Sequence, residues 1–381
     1  MATKVVNALA EIDATQWNAL RGTDNPFLRH EFLCALETHA CVGPRHGWIP
    51  RHLVASDERG RLLGAVPLYY KDNSYGEFVF DWSWADAYQR NGLHYYPKAV
   101  VGVPYTPVTG SRLLIAPHAD RRAVAAQLIE MALEVARRDS LSSLHWLFTD
   151  AEDTRALEAA GLMLRLGCQF HWHNLGYRDF DDYLDSFSSR KRKKVKRERR
   201  HVREQDIEVR VVHGHEASDA ELHLMYGFYR DTFDKKWGYA TLTEAFFREL
   251  ATRMGARLVF FIASRNRVDV AGAICLRNDD TLYGRHWGCT QDYHSLHFET
   301  CYYTGIQYCI ERGLRSFEPG AQGEHKISRG FMPTATWSAH WIAHPGFRDS
   351  IARFVQHEAD AMRDYMAELS AQSPFREHQA A

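Results

Sequence analysis

The chain carries one pattern twice, first as Leu53-Val54-Ala55-Ser56 … Gly64-Ala65-Val66-Pro67-Leu68 and again as Phe261-Ile262-Ala263-Ser264 … Gly272-Ala273-Ile274-Cys275-Leu276. In each copy an Ala-Ser pair is followed nine residues later by Gly-Ala. Two apolar runs on either side of a short polar segment predict a β-hairpin. Both copies are therefore expected to be hairpins, with their turns at 57–60 and 265–267.

The same order of elements follows each hairpin. In the first copy the sequence predicts a helix at about 121–138 and a strand at 144–148. In the second copy it predicts a helix at about 299–312 and a strand at about 314–318. Chance similarity of two hairpins is the alternative, but the shared downstream order favours a diverged repeat. A hairpin-rich sheet covered by helices is an α+β (α/β-like) arrangement.

The repeat suggests two domains, and 381 residues suffice for two of ordinary size. We place the boundary near Asn174, which gives domains at 1–173 and 174–381. The end of the second domain is expected to contain an amphipathic helix at 347–369, because its apolar residues recur mostly on one helical face.

The strongest charge feature is the basic run from Arg190 to Arg203, which holds ten Lys or Arg and one Glu. Its charge of +9 stands in a chain whose net charge is −1. A helix at 188–204 would bury only a narrow seam, Val195 and Val202. The concentrated charge indicates a polyanionic partner, although a solvated helix face or an import signal has a similar composition. The residues predicted to bind the polyanion are Arg190, Lys191, Arg192, Lys193, Lys194, Lys196 and Arg197.

Composition and missing motifs exclude several classes of protein. The chain has globular composition, with 45% apolar and 25% charged residues, and no apolar run long enough to span a bilayer. Seven Cys without a Cys-x-x-Cys pair, and an N-terminus without a signal-peptide core, lead us to expect a cytoplasmic protein. No nucleotide-binding glycine loop or hydrolase nucleophile motif occurs. His171-Trp172-His173 and His213-Gly214-His215 lack a third ligand, so we expect no metal and no tightly bound cofactor.

The densest polar segment is the loop that begins at Glu318. Pro319 ends a predicted strand, and Gly320 and Gly323 allow a tight turn. Polar groups on such loops often form functional sites, although an ordinary surface turn is the alternative. In the first half, aromatic residues between Ser74 and Arg112 suggest the wall of a groove, with core packing as the alternative.

Several motifs resemble the FemAB-like family of predicted N-acyltransferases, within the GNAT superfamily. They are Ser74-Tyr75-Gly76-Glu77-Phe78, Tyr95-Tyr96-Pro97-Lys98, Thr106-Pro107-Val108-Thr109-Gly110, Ser189-Arg190-Lys191-Arg192-Lys193, His297-Phe298-Glu299 and Glu318-Pro319-Gly320-Ala321-Gln322-Gly323-Glu324-His325-Lys326. The resemblance covers nearly the whole chain. It implies two tandem GNAT-type domains, each a mixed, mostly antiparallel sheet flanked by helices. It also implies transfer of an acyl or aminoacyl group to an amine.

On this basis we assign roles to the candidate residues. Glu318 or His325 is the expected general base, and Lys326 and Arg329 are expected electrostatic donors. Glu299 and His297 are secondary catalytic candidates. The substrate-binding candidates are Asp81, Tyr96, Lys98, Arg112, Arg285, Gln322 and Arg329, of which the first four would line an acceptor groove.

The acyl donor stays open between aminoacyl-tRNA and acyl-CoA. CoA-dependent GNAT enzymes carry a Gln/Arg-x-x-Gly-x-Gly/Ala motif that holds the pyrophosphate. The nearest stretch here, Arg285 to Thr290, fails at its last position. A tRNA backbone would suit the basic helix. A binding protein for nucleic acid or a membrane surface, without enzymatic activity, is the remaining alternative.

Overall fold

The computed structural model describes residues 1–235, 238–321 and 323–376. The chain forms two compact units, each built from two segments. Unit 1 comprises Met1–Cys168 and Ala335–Asp364, and unit 2 comprises Gln169–Thr334 and Tyr365–Ala381. Among the described residues no helix combines the length and the apolar character that crossing a bilayer requires.

The first half of the chain holds nine strands and five helices among its regular elements. The strands are β1 (Ala2–Val6), β2 (Ile49–Pro50), β3 (His52–Ser56), β4 (Leu62–Val66), β5 (Leu68–Lys71), β6 (Lys98–Val101), β7 (Leu114–Ile115), β8 (Ser143–Thr149) and β9 (Met163–His173). The helices are α1 (Ala14–Asn18), α2 (His30–Thr38), α3 (Trp82–Arg90), α4 (Arg121–Arg138) and α5 (Ala151–Ala159).

The described elements of the second half are again a mixture of helices and strands. The helices are α6 (Phe180–Asp185), α7 (Ser189–Arg203), α8 (Asp219–Lys235), α9 (Glu244–Met254), α10 (Leu296–Phe298), α11 (Thr304–Glu311) and α12 (Pro345–Ser370), with a π-helical turn at Glu299–Tyr303. The strands are β10 (Ile207–His213), β11 (Leu258–Arg265), β12 (Val268–Arg277), β13 (Thr281–Cys289), β14 (Ser316–Glu318) and β15 (Met332–Ile342).

Unit 1 is built on two sets of hydrogen-bonded strands. One set has the order β1-β3-β4-β7 and is antiparallel. In the other, β2, β5, β6, β8 and the part of β15 after Thr334 lie side by side, with only the β6–β8 pair parallel. Leu128 and Leu133 of α4 pack with Leu53 and Trp146 of the strands in one apolar cluster. The first predicted hairpin is β3–β4, whose two strands pair in antiparallel orientation.

In unit 2 the strands follow the order β10-β11-β12-β13-β14-β9, and only β13 and β14 pair in parallel. The second predicted hairpin is β11–β12. The apolar residues of α6, including Phe180 and Tyr183, pack in the core of this unit together with Val195 of α7. Val195 and Val202 are buried, as the narrow seam predicted, and Glu198 is buried between them.

The division of the chain differs from the predicted cut between residues 173 and 174. The first segment of unit 1 ends at Cys168, and Ala335–Asp364 belongs to unit 1 rather than to a domain at 174–381. The reason is strand pairing and packing: Trp337 to Ile342 pair with β8, and Ile351 and Val355 of α12 pack with Trp84 of α3. A repeat in the sequence divides the chain at one point. It therefore cannot show that a later segment, Ala335–Asp364, belongs to the first unit.

Candidate active site

The loop after β14 in unit 2 owes its shape to three glycines. Glu318 ends the strand, and the chain then turns through Gly320, Gly323 and Gly330, whose φ angles are 93°, 108° and 85°. These left-handed values favour glycine because it has no Cβ. Between the last two glycines the chain forms a short 3₁₀ helix at Glu324–Arg329, which carries His325 and Lys326.

Lys326 is buried and has backbone carbonyls as its partners. Its Nζ atom donates to the oxygen of Gly320 at 2.6 Å and to that of Pro319 at 3.4 Å. No carboxylate forms an ion pair with it among the residues that the structure describes. Burial lowers the pKa of Lys326 to about 7, although the neighbouring Cys301 acts in the opposite direction. This amine therefore exchanges its proton near neutral pH.

His325 lies exposed beside Lys326 and is oriented by a tyrosine. Its Nε2 atom and the hydroxyl of the buried Tyr302 share a hydrogen bond of 2.9 Å. Burial of part of the ring lowers the pKa of His325, and the positive charges of Arg329, Lys326 and Lys194 lower it further. The imidazole is therefore neutral at pH 7 and able to accept a proton.

His297 belongs to the same aromatic cluster. Its ring centroid lies 5.3 Å from that of Tyr302 and 6.4 Å from that of His325. The structure thus brings three of the predicted catalytic residues, His325, Lys326 and His297, into one region. Tyr302, which sequence reasoning missed, links two of them.

Arg329, a predicted electrostatic donor and substrate contact, is buried and paired with a carboxylate. Its side chain is 3% exposed, and its Nη2 atom donates to the two carboxylate oxygens of Glu198 at 2.9 and 3.0 Å. Its Nη1 atom donates to the backbone oxygen of His325 at 2.8 Å. Burial and a paired carboxylate make Arg329 an internal brace of the loop.

Glu318, Arg285 and His171 lie around the strand end. The Oε2 atom of Glu318 is 4.0 Å from Nε2 of the buried His171. Burial lowers the pKa of His171 to about 3, and His173 and Lys326 add to the shift, so the ring is neutral. Burial lowers the pKa of Arg285 to about 10, while Glu318 acts to raise it. Gln322 lies outside the described residues.

Glu299 is the first residue of the π-helical turn in unit 2. It is 8% exposed and forms an ion pair with Arg199 at 2.9 Å. Burial raises the pKa of Glu299, and Arg199 lowers it in part. Glu299 lines a cavity of about 430 Å³ whose lining includes neither His325 nor Lys326. Its ion pair with Arg199 of α7 indicates a role in holding that helix.

Helix α7 presents the predicted cationic surface. Arg190, Lys193, Lys196 and Arg197 are exposed, and Lys191, Arg192 and Lys194 are half-buried. Two of the seven pair with acids of α6: Arg192 with Asp185 at 2.7 Å and Lys196 with Asp181 at 3.3 Å. A cavity of about 560 Å³ beside α7 is lined by Arg178, Lys196, Arg199 and Arg203 together with acidic residues.

In unit 1, the predicted groove residues Asp81 and Lys98 form a buried ion cluster instead. The Nζ atom of Lys98 donates to Glu77 Oε2 and to Ser74 Oγ, both at 2.8 Å, and to Asp81. Although burial alone acts to lower it, the pKa of Lys98 is raised by Glu77 and Asp81. Burial raises the pKa of Glu77 to about 7. Because Lys98 and Asp81 have almost no exposed surface, they do not line an open groove.

The other two groove residues differ from each other. Arg112 is 1% exposed and donates to the backbone oxygens of Leu147 and Val108 at 2.8 and 2.7 Å, so it braces the interior of unit 1. Tyr96 is half-buried, and its hydroxyl shares a hydrogen bond of 2.9 Å with Ser74 Oγ. Of the four predicted acceptor residues, Tyr96 is the one with appreciable exposure.

Three site residues escaped the sequence analysis: Glu198, Tyr302 and Glu77. Glu198 had a usable signal, because it is the single acid in the basic run and lies between two apolar residues at helical spacing. Glu77 lies inside the quoted motif Ser74–Phe78, but nothing in its spacing distinguishes it from its neighbours. Tyr302 lies outside the quoted motifs, in the helix predicted at about 299–312. Among the described residues no group of three or more His, Cys, Asp or Glu is placed to hold a metal ion.

The sequence matches the model of a known protein family. The FemAB-like family model, described as peptidoglycan biosynthesis/recognition, matches residues 8–377. No curated protein matches the sequence.

Solved structures resemble the chain over nearly its whole length. One is FemX, with 10% identity, a TM-score of 0.55 and coverage of 92% of this chain and 100% of that one. Another is the C-terminal domain of a predicted lysylphosphatidylglycerol synthetase from Agrobacterium fabrum, with 10% identity, a TM-score of 0.54 and coverage of 93% and 98%. A tandem GNAT protein from the clavulanic acid biosynthesis pathway has 13% identity, a TM-score of 0.47 and coverage of 90% and 99%. At these identities the first two likenesses concern the fold alone, and the predicted α+β, tandem-domain fold class is confirmed.

Proposed function

We propose that this chain, which belongs to the FemAB-like family, is an N-acyltransferase that moves an acyl or aminoacyl group onto an amine. The observation that carries the proposal is the pairing of His325 with Tyr302 directly beside the buried Lys326. A neutral imidazole and an amine of lowered pKa, on a glycine-shaped loop at a strand end, are groups suited to proton transfer at neutral pH.

In the proposed reaction the acceptor nitrogen attacks the donor carbonyl carbon, and a proton leaves that nitrogen. His325 Nδ1 is the proposed base for this proton, because Nε2 is hydrogen-bonded to Tyr302, the pKa of His325 is lowered and the ring is exposed. The hydrogen bond between Nε2 and the hydroxyl of Tyr302 fixes the orientation of the ring. The new C–N bond forms while the bond from the carbonyl carbon to the leaving oxygen or sulfur breaks.

Lys326 is the proposed electrostatic group. In its protonated form the ammonium stabilises negative charge on the carbonyl oxygen, and it can return a proton to the leaving group. With a pKa of about 7, both forms are populated at neutral pH. Glu318 remains an alternative base, since it lies at the end of β14 near His171.

Aminoacyl-tRNA is the proposed donor. The cationic surface of α7 suits a phosphate backbone, because each phosphate neutralised by Lys or Arg releases counterions. FemX, a solved structure with a similar fold, has a name in common with the FemAB-like family model that this chain matches. The family description makes the amine of a peptidoglycan precursor the acceptor to test first.

The test is the melting temperature of the protein with acetyl-CoA, a long-chain acyl-CoA or total charged tRNA, each at low and moderate salt. A ligand at about 100 times its Kd adds about 2.7 kcal/mol to the stability of the native state. Stabilisation by charged tRNA that exceeds that by uncharged tRNA, and weakens with salt, supports the proposal. Stabilisation by a CoA ester alone would identify an acyl-CoA-dependent enzyme.

A matched pair of variants distinguishes an enzyme from a binding protein. His325→Ala leaves α7 intact, whereas replacing Arg190, Lys193 and Arg197 by Gln leaves the loop intact. We expect the first to slow transfer of a radiolabelled aminoacyl group by about 10²–10⁴ fold while retaining tRNA binding, and the second to weaken binding. Full turnover in folded His325→Ala and Glu318→Gln variants would overturn the proposed mechanism.

A further inference from the structure

The basic helix and the His325–Lys326 loop are joined by one buried carboxylate. Glu198 is the single acid among the fifteen residues of α7, and it is 7% exposed. Its oxygens accept from Nη2 of Arg329 at 2.9 and 3.0 Å, and Oε2 also accepts from the hydroxyl of Tyr303. Lys194, one turn earlier on α7, lies 3.9 Å from Oε1.

Arg329 connects Glu198 to the loop through hydrogen bonds to both. Its Nη1 atom donates to the backbone oxygen of His325 at 2.8 Å, so the guanidinium ties the carboxylate of α7 to the peptide between His325 and Lys326. The guanidinium lies 3.4 Å from the ring centroid of Phe298, and the backbone oxygen of Arg329 accepts from Tyr183 at 2.7 Å. These contacts leave the guanidinium little freedom to move without moving the loop.

We propose that Glu198 is a positioning residue that couples occupancy of α7 by a polyanion to the placement of the loop carrying His325 and Lys326. The inference rests on the proposed function, since it takes α7 as the donor-binding surface and the loop as the reacting site. A polyanion that neutralises Lys194 and its neighbours removes competing positive charge from around Glu198, which strengthens the Glu198–Arg329 contact. Binding of the donor would thereby order the loop at the time when the reaction needs it.

Hydrogen exchange of single backbone amides measures this coupling. The N–H groups of Lys326, Gly330 and Phe331 donate within the loop, to Gly323, Ile327 and Lys326, and report on its order. The probe is long-chain inorganic polyphosphate, which needs only a cationic surface, and charged tRNA is run in parallel. In the wild-type protein we expect polyphosphate to slow exchange of these amides by about tenfold, a usual size for coupling between two sites.

Glu198→Gln is the central variant and Glu204→Gln its matched control. Glu204 lies at the end of the same helix and pairs with Arg200 at 3.4 Å on the surface. We expect Glu198→Gln to bind polyphosphate as the wild type does, and to lose the slowing of exchange in the loop. Glu204→Gln should keep both. A merely structural role of Glu198 would speed exchange without ligand but leave the ligand-induced change intact, and that result would overturn the proposal.

Two further variants change the partners of Glu198 and leave Glu198 itself in place. Tyr303→Phe removes one hydroxyl from Glu198 and is expected to reduce the ligand-induced slowing. Arg329→Gln should lose it, and the double variant with Glu198→Gln should lose no more than either single variant, because the two residues act as one unit. Additive losses would contradict the proposal.

The outcomes separate this inference from the proposed function. If polyphosphate orders the loop through Glu198 but charged tRNA does not bind, the proposed donor is wrong and the coupling stands. If both ligands bind and the loop does not respond, the coupling is wrong and the donor stands. If polyphosphate does not bind to the wild-type protein, α7 is not a polyanion surface and the coupling is overturned.

Discussion

The Nζ atom of Lys326 donates a hydrogen bond of 2.6 Å to the carbonyl oxygen of Gly320, whose φ of 93° few other residues adopt. The partner of this buried lysine is thus a neutral dipole, which solvates an ammonium less well than a carboxylate would. For that reason burial dominates and the pKa of Lys326 falls to about 7. The turn at Gly320 and the proton affinity of Lys326 are therefore linked.

The first prediction concerns the dependence of stability on pH. Between about pH 7 and 10.4 the unfolded chain binds a proton at Lys326 that the folded protein releases, so this side chain makes stability rise with pH in that window. Lys326→Met removes the effect. We expect the free energy of unfolding of the variant to exceed that of the wild type by about 2–4 kcal/mol at pH 6.5. This difference should shrink toward pH 10, as measured by chemical denaturation.

Lys193→Met, at an exposed position on α7, is the control for this measurement. It should show no comparable change with pH. A difference between Lys326→Met and wild type that stays constant from pH 6.5 to pH 10 would contradict the lowered pKa.

The second prediction concerns His325 as the base. With a donor identified by the melting experiment, His325→Ala should lower kcat by about 10²–10⁴ fold. Because the pKa of His325 is lowered, the wild-type rate should rise with pH through a midpoint below 6.5. Tyr302→Phe, which removes the hydrogen bond to Nε2, should lower kcat by about fivefold. The exposed His223, paired with Glu244, supplies the control variant His223→Ala, whose rate should equal that of wild type.

Much of the fold was accessible from the sequence because it rests on local patterns. The Ala-Ser to Gly-Ala spacing gave both hairpins, and the seven-residue spacing of Val195 and Val202 gave the buried seam of α7. The helix predicted at about 299–312 begins as a π-helical turn at Glu299–Tyr303 and continues as α11. A π-turn depends on packing of the surrounding core, which periodicity does not report.

The site was harder to predict because charge states and partners depend on burial. Arg112, Asp81 and Lys98 have the composition of a binding groove, yet each is buried with partners far along the chain, such as Leu147 for Arg112. Conversely Lys326, which the sequence did indicate, has a lowered pKa because it is buried with backbone carbonyls as its described partners. Sequence gives residue types, whereas three-dimensional packing decides which of them stay reactive.

The third prediction separates Glu299 from the catalytic candidates. Glu299 pairs with Arg199, which is 21% exposed, and it lines a different cavity from the loop. Glu299→Gln should therefore leave kcat within about threefold of wild type, since the partner of Glu299 is Arg199 and not His325 or Lys326. Steady-state kinetics measure this directly, with His325→Ala as the positive control. A loss comparable to that of His325→Ala would return Glu299 to the catalytic set.

The fourth prediction concerns the buried cluster in unit 1. Lys98→Met leaves Glu77 and Asp81 without their cation, and breaking a buried pair in this way costs about 3–5 kcal/mol. The loss should be smaller near pH 5, because Glu77, whose pKa is raised to about 7, is then protonated. Chemical denaturation at pH 5 and pH 8 tests both statements.

Two variants complete that experiment. Lys4→Met, at an exposed site in β1, should change stability by less than about 0.5 kcal/mol. The double variant Lys98→Met/Glu77→Gln should recover part of the loss, because one uncompensated carboxylate is gone. Equal losses at the two pH values and in the double variant would show that packing, and not charge, is at stake.

The fifth prediction concerns salt and the basic helix. Arg190, Lys193 and Arg197 are exposed on α7, and replacing all three by Gln removes three charges without touching the buried Val195 and Glu198. If each charge neutralises one tRNA phosphate, the slope of log Kd against log salt concentration should fall by about 2–3. Exposed arginines that do not belong to α7, at 59, 90 and 267, provide a control set whose replacement should leave the slope unchanged. An equal fall of the slope in both sets would mean that tRNA binding depends on total charge. That result would contradict the proposal that α7 is the binding surface.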